Sequence, residues 1–125
     1  MNTPAVAGVV FADDIARLAA FYRGVAGMRE THADDRHVVL EIPGFQLTVH
    51  ALSGGEGHPQ YTYPTREDAY IKLCFPVASL AEARTLASRL GGELWPVDRE
   101  WEARGFRACD GRDPEGNVFQ LRQKS

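Results

Sequence analysis

The sequence predicts an α+β fold made of two successive β-α-β-β-β halves. Three observations predict it. Each half opens with an apolar run that leads into a capped, amphipathic helix, and each helix is followed by three extended segments. The closing strands also match, Phe45-Gln46-Leu47 answering Phe119-Gln120-Leu121. A chain of 125 residues that is 44% hydrophobic suffices for one packed core, so a single domain is expected over 1–125. Its first half covers about 4–52, a linker about 53–68 and the second half about 69–124.

In the first half, Val6 to Phe11 is apolar and partly β-branched, and it runs into Asp13 and Asp14, residue types that cap helices. From Ile15, apolar residues recur at helical spacing through Leu18, Ala19, Tyr22 and Val25, and Gly27 supplies a stop. Extended segments then follow at about Met28–Ala33, Arg36–Ile42 and Phe45–Leu52, the last two divided by the turn pair Pro43-Gly44. The stretch Ser53–Asp68 is rich in Gly and Pro and reads as a loop.

The pattern then repeats. The run Ile71–Val77 precedes a helix whose Ser79 and Glu82 form an S-x-x-E capping box, with Leu80, Ala83, Leu86, Ala87 and Leu90 as its buried stripe and Gly91-Gly92 as its end. Extended pieces are expected near Glu93–Pro96, Gly105–Asp110 and Asn117–Gln123, the last introduced by the turn Asp113-Pro114-Glu115-Gly116. Spacing between matched landmarks is longer in this half, which places an insertion at Asp98–Arg104. Its charges, Glu100, Glu102 and Arg104, read as a solvated stretch.

A net charge of −3 with scattered Lys and Arg argues against nucleic acid as a partner. No apolar run approaches the roughly 18–20 residues of a membrane span, so a soluble, cytoplasmic protein is expected. Cys74 and Cys109 lie far apart in apparent strands and read as two buried free thiols.

Three passages resemble the vicinal oxygen chelate superfamily, which includes glyoxalase I, bleomycin-resistance proteins and extradiol dioxygenases. They are the run from Ala12-Asp13-Asp14 to Phe21-Tyr22 with Gly27, the helix from Leu80 to Gly91-Gly92, and Asp113-Pro114-Glu115-Gly116-Asn117 with Phe119-Gln120-Leu121. The resemblance implies two βαβββ modules whose sheets curl into an open cup that holds a ligand, and a homodimer. In metal-dependent relatives, four side chains inside the cup chelate a divalent ion. The matching positions fall here on Ala7, Gln46, Lys72 and Gln120: no donor, two neutral amides and a cation. No metal or other cofactor is therefore expected.

Strand alternation puts Gln46, Thr48 and His50 on one face of the closing strand, and Lys72 and Cys74 on one face of theirs. Gln46, Thr48, His50, Lys72, Gln120 and Trp101 are thus the candidate ligand-binding residues, suited to a polar or anionic small molecule. His50 is the candidate general base. His32, His37 and His58 read as solvated, Tyr61 and Tyr63 as rim aromatics, and Trp95 as packing.

Two function classes remain. One is a metal-independent small-molecule-binding protein of the bleomycin-resistance kind, sequestering an antibiotic or a toxic metabolite. The other is a lyase, isomerase or dioxygenase of the same superfamily, using an unaligned metal site or His50.

Overall fold

Parallel pairing of two strands close in sequence needs a long crossover, and each half supplies one. A computed structural model describes residues 3–52 and 62–125; Tyr61, His58 and most of the predicted linker lie outside them. The first module runs β1 (Ala7–Ala12), α1 (Ile15–Val25), β2 (Arg29–Ala33), β3 (His37–Ile42) and β4 (Phe45–Ala51). Its sheet has the order β1-β4-β3-β2, with β1 parallel to β4 and the other neighbours antiparallel. The second module runs β5 (Leu73–Val77), α2 (Leu80–Arg89), β6 (Glu93–Leu94), β7 (Trp101–Glu102), β8 (Phe106–Arg112) and β9 (Val118–Lys124). Its order is β5-β9-β8-β6, with β5 parallel to β9 and β7 also paired to β8. The two βαβββ halves of the sequence are therefore two modules of one topology.

Both helices start where the caps require. Asp14 accepts a hydrogen bond from the Arg17 N–H at 3.0 Å, and Ser79 accepts one from the Glu82 N–H at 3.1 Å, each satisfying a donor that the first helical turn leaves open. Helix α1 buries Leu18, Phe21, Tyr22 and Val25, and the sheet beneath it contributes Val38, Leu40, Leu47 and Val49. Helix α2 buries Leu80, Ala83 and Ala87 in the same core as Phe75, Cys109, Phe119 and Leu121. Each large apolar side chain so buried stabilises the fold by about 1.5–3 kcal/mol. Among the described residues, the opposite face of each sheet carries no helix.

The modules are joined by the Asp113–Asn117 turn between β8 and β9. Tyr22 of α1 donates its hydroxyl to Asp113 at 2.6 Å, and Asp113 also accepts from the backbone N–H groups of Glu115 and Asn117. Glu115 reaches the other way and accepts from the N–H groups of Asp13 and Asp14 at 2.8 and 2.9 Å. Burial pushes Tyr22, Asp113 and Glu115 above their ordinary pKa values; for Tyr22 the neighbouring Asp113 charge adds to the rise, and for the two acids the hydrogen bonds only partly offset it. Gly116 is required here: its φ is +85°, and a Cβ would stand 2.2 Å from the Pro64 carbonyl oxygen.

Three expectations need correction. The extended piece at Glu93–Pro96 shortens to β6 at Glu93–Leu94, and after a 3-10 turn at Val97–Arg99 the insertion supplies a further short strand, β7; both pair with β8, so the insertion extends the sheet edge. Glu100 is not solvated: its side chain is 7% exposed, held between Arg84 and Arg107. Although burial alone would raise its pKa, the Arg107 and Arg84 hydrogen bonds hold Glu100 below its ordinary value. Finally, β5 begins at Leu73, so Ile71 and Lys72 precede the strand and are exposed.

Candidate functional site

The helix-free face of the first sheet is built by strand alternation. Because Leu47 and Val49 go under α1, Gln46, Thr48 and His50 must face the other way, and each is only half-buried. The register sets Ala7 and Glu41 on either side of Gln46, and Gln46 donates its amide to Glu41 at 2.9 Å. Phe11 and His37 flank His50, with ring centroids 5.7 and 5.8 Å away. The Nδ1 of His50 lies 2.6 Å from the Ala51 carbonyl oxygen, which can only accept, so Nδ1 carries a hydrogen and, in the neutral ring, Nε2 has the lone pair.

The second sheet repeats the arrangement and adds charge. Gln120, 7% exposed, donates its amide to Asp110 at 3.1 Å from the equivalent register position. Lys72 Nζ meets the other Asp110 oxygen at 2.6 Å, and Arg122 Nε donates to Gln120 at 2.7 Å while its guanidinium lies 4.5 Å over Phe106. Trp101, 40% exposed, shares this face through the row Trp101, Ala108, Arg122. Cys74 also opens onto this face, opposite Gln120, and it is exposed; the expectation of two buried thiols holds for Cys109 alone. The reason is position, since β5 is a sheet edge and only one of its faces has a helix. Burial raises the Cys109 thiol, which the Arg84 hydrogen bond only partly counters.

A groove of about 430 Å³ runs along the seam between the modules, walled by Val9 and Val10 of β1, Tyr22, Ile71, Leu73 and Val118. A second cleft of about 190 Å³ adjoins it, sharing Ile71 and Val118 and walled also by Arg66, Lys72, Trp95 and Asp110. A larger cleft of about 510 Å³ sits at the Pro43-Gly44 end of the first sheet, where its charges, Arg29 and Glu41, approach each other at 3.7 Å. Of the predicted ligand-binding residues, Lys72 lines one of these three clefts, the 190 Å³ one; Gln46, Thr48, His50, Gln120 and Trp101 line none of them. Lys72 and Gln120 meet at Asp110, and Gln46, Thr48 and His50 form one face, but none of the three clefts unites the two groups.

Sequence reasoning missed Glu41, Asp110 and Arg66; it read Trp95 as packing, and Trp95 does pack against the core while also lining the smaller cleft. Glu41 had a signal: the tight Pro43-Gly44 turn sets it opposite Gln46. Asp110 had a weaker one, alternation from Cys109. Trp95 and Arg66 come to the cleft only through tertiary packing. On the β2–β3 hairpin, the His32 hydrogen bond and the N–H groups of Arg36 and His37 hold the Asp34 carboxyl well below the usual range.

The family-implied ion needs several lone-pair donors converging at about 2 Å. At Ala7, Gln46, Lys72 and Gln120 there are two amide oxygens at most, with a side-chain amine ion-paired to Asp110, and this set does not fit a divalent ion.

Two βαβββ modules with this strand order define a glyoxalase/bleomycin-resistance-like domain of the vicinal oxygen chelate superfamily. The glyoxalase-like domain family matches residues 8–122, and the chain belongs to it. A glyoxalase/bleomycin resistance protein/dioxygenase family enzyme from Burkholderia phytofirmans superposes with a TM-score of 0.70 at 19% identity, over 95% of this chain and 97% of that one. A glyoxalase/bleomycin resistance protein from Albidiferax ferrireducens gives 0.70 at 17%, over 96% and 98%. A mutant of the fosfomycin resistance protein FosX from Listeria monocytogenes, complexed with Mn(II) and 1S,2S-dihydroxypropylphosphonic acid, gives 0.67 at 15%, over 100% and 92%. At these identities the likeness is one of fold. No curated protein matches the chain significantly. Among the described residues, no helix is long and apolar enough to cross a membrane.

Proposed function

We propose that this protein binds a small molecule with a short apolar body and an anionic head, without a metal at the family's chelate position. The observation that carries the reading is the junction of the two adjoining clefts. The seam groove offers apolar walls, and across Ile71 and Val118 the smaller cleft presents Lys72 and Arg66 beside Trp95, with the acids Glu67 and Asp110 also in its lining. An apolar portion in the groove is driven by burial, while a carboxylate or phosphonate reaches Lys72, whose partner Asp110 is also held by Gln120. The phosphonate in the FosX complex makes that head group a reasonable first probe.

The test is an NMR titration of isotopically labelled full-length protein with phenylphosphonate and benzoate in the presence of EDTA. Shifts at Ile71, Lys72, Val118 and the Trp95 indole, lost in Lys72→Ala, are the expected result. Binding that EDTA abolishes, or shifts that ignore Lys72→Ala, would overturn the reading. Sequestration in a cytoplasmic homodimer goes with it, and light scattering reports the oligomeric state.

A second reading, an isomerase- or lyase-type enzyme with His50 as base, draws on the lone pair left on His50 Nε2. It is the weaker one because His50 walls neither the seam groove nor the cleft beside it. Any turnover unchanged in His50→Ala would remove it.

A further inference from the structure

The β2–β3 hairpin gathers two imidazoles and a carboxylate well away from the family's chelate position. His32 Nε2 lies 3.0 Å from Asp34 Oδ2, and His37 Nδ1 lies 3.1 Å from Asp34 Oδ1. The three ligand-type atoms lie within 4.8 Å of one another. We propose that His32, Asp34 and His37 form a binding site for a late first-row divalent cation of the zinc, copper or nickel class.

The backbone builds this cluster deliberately. Between Glu30 and His32 the β2–β3 register slips, leaving Thr31 as an extra residue: Glu30 pairs with Leu40, yet His32 pairs with Val39. Without the slip, His32 would stand opposite Val38 and point to the face that α1 covers. The bulge turns it to the helix-free face, where His37 and Val39 lie, and brings the His32 and His37 rings to 4.8 Å. A second device fixes the carboxylate. Asp34 Oδ1 accepts the N–H groups of Arg36 and His37 at 2.8 and 2.9 Å, which leaves Oδ2 turned to His32 as the coordinating oxygen. Such outer hydrogen bonds orient metal ligands and set their strength.

The chemistry selects the ion class. Two imidazole nitrogens with one carboxylate suit zinc, copper and nickel better than calcium or magnesium, which prefer all-oxygen sets. Bond lengths near 2.1 Å put neighbouring ligands about 3.0–3.4 Å apart, so the widest pair closes by roughly 1.5 Å. The side chains are 32–52% exposed, so the ion has an entry path and water completes its shell. Nearby cations do not compete: Arg36 is hydrogen-bonded to the Leu52 carbonyl, and Arg23 and Arg29 face Glu30 and Glu41. Next in the row, His50 stacks on His37 and carries its proton on the nitrogen turned to Ala51, so it supports the His37 ring without being needed as a ligand.

The experiment is calorimetric titration of the full chain with zinc chloride, using the untagged protein, a Cys74→Ser variant and a His32→Ala/His37→Ala variant. One equivalent bound by wild type and by Cys74→Ser, with affinity at least about tenfold weaker in the double variant, is the expected result. Absence of binding, or binding that survives the double substitution or disappears in Cys74→Ser, overturns the site. Should the double variant not fold, copper(II) added to labelled wild type decides the matter: broadening centred on residues 30–39 supports the assignment, and broadening centred elsewhere refutes it.

Discussion

The two modules share strand order, helix position and a Gln–acid pair at the same place in the register, yet their open faces differ. In the first, Gln46 is half-buried and donates to Glu41, next to a row of Phe11, His50, His37 and His32. In the second, Gln120 is nearly buried and its acid partner also holds Lys72, with Arg122 alongside. The repeat thus kept the frame and the polar pair, while the residues one strand or one row away diverged into an imidazole face and a charged face. A fold preserves positions, whereas the chemistry at those positions is set side chain by side chain.

The comparison breaks most severely where the modules depend on each other. Asp113→Ala strands the buried Tyr22 hydroxyl and the N–H groups of Glu115 and Asn117, so urea unfolding should show a loss of about 3 kcal/mol with both sheets melting together. Separate melting of the two modules would show that the turn is not their joint. Burial raises Asp113 and Glu115, so their contribution is greatest at low pH and declines as pH rises through their raised folded values.

Glu100→Gln acts on the second module alone and should cost about 2 kcal/mol, because it leaves the Arg84 and Arg107 guanidinium groups without their shared carboxylate. The sign of its pH dependence is opposite. Glu100 is held below its ordinary value of 4.5, so its contribution is fully present above that pH and is lost as pH falls through the depressed value. Comparing wild-type and variant melts at pH 7 and pH 4 checks this: the gap should narrow in acid.

A matched pair of substitutions sharpens the contrast between the two faces. Gln120→Ala removes an almost buried donor from a four-residue network and should cost about 1–1.5 kcal/mol, whereas Gln46→Ala should cost about 0.5 kcal/mol. Equal losses in chemical unfolding would mean that the two pairs are energetically alike despite their different surroundings. The smallest effect is chemical: a thiol reagent should label the native protein once, at exposed Cys74, with Cys109 reacting only after unfolding. Two fast thiols would contradict the packing of α2 on β8.

Much of the fold was legible in the residues. Caps at Asp14 and Ser79, helical stripes and the Asp113–Asn117 turn all act locally, so their consequences can be read from spacing. Local rules failed at Cys74, where β propensity says nothing about standing at a sheet edge. They failed at Glu100 too, because its two arginine partners come from α2 and β8. They also failed at Ile71 and Lys72, where the apolar run continues beyond the hydrogen-bonded strand. The sites divide in the same way: alternation placed Gln46, Thr48 and His50 on one face, but it did not assign Asp110 to Lys72 or bring Trp95 beside them.

The sequence by itself determined two βαβββ modules, because side-chain period, capping and turn chemistry are properties of neighbours along the chain; the residues at the family's chelate positions followed from the resemblance to that family. Tertiary structure alone decided that Tyr22 and Asp113 lock the modules, that Lys72 meets Gln120 through Asp110, and that one bulged residue turns His32 toward His37. Those outcomes depend on strand register and on groups brought together from distant segments, and no local pattern encodes either.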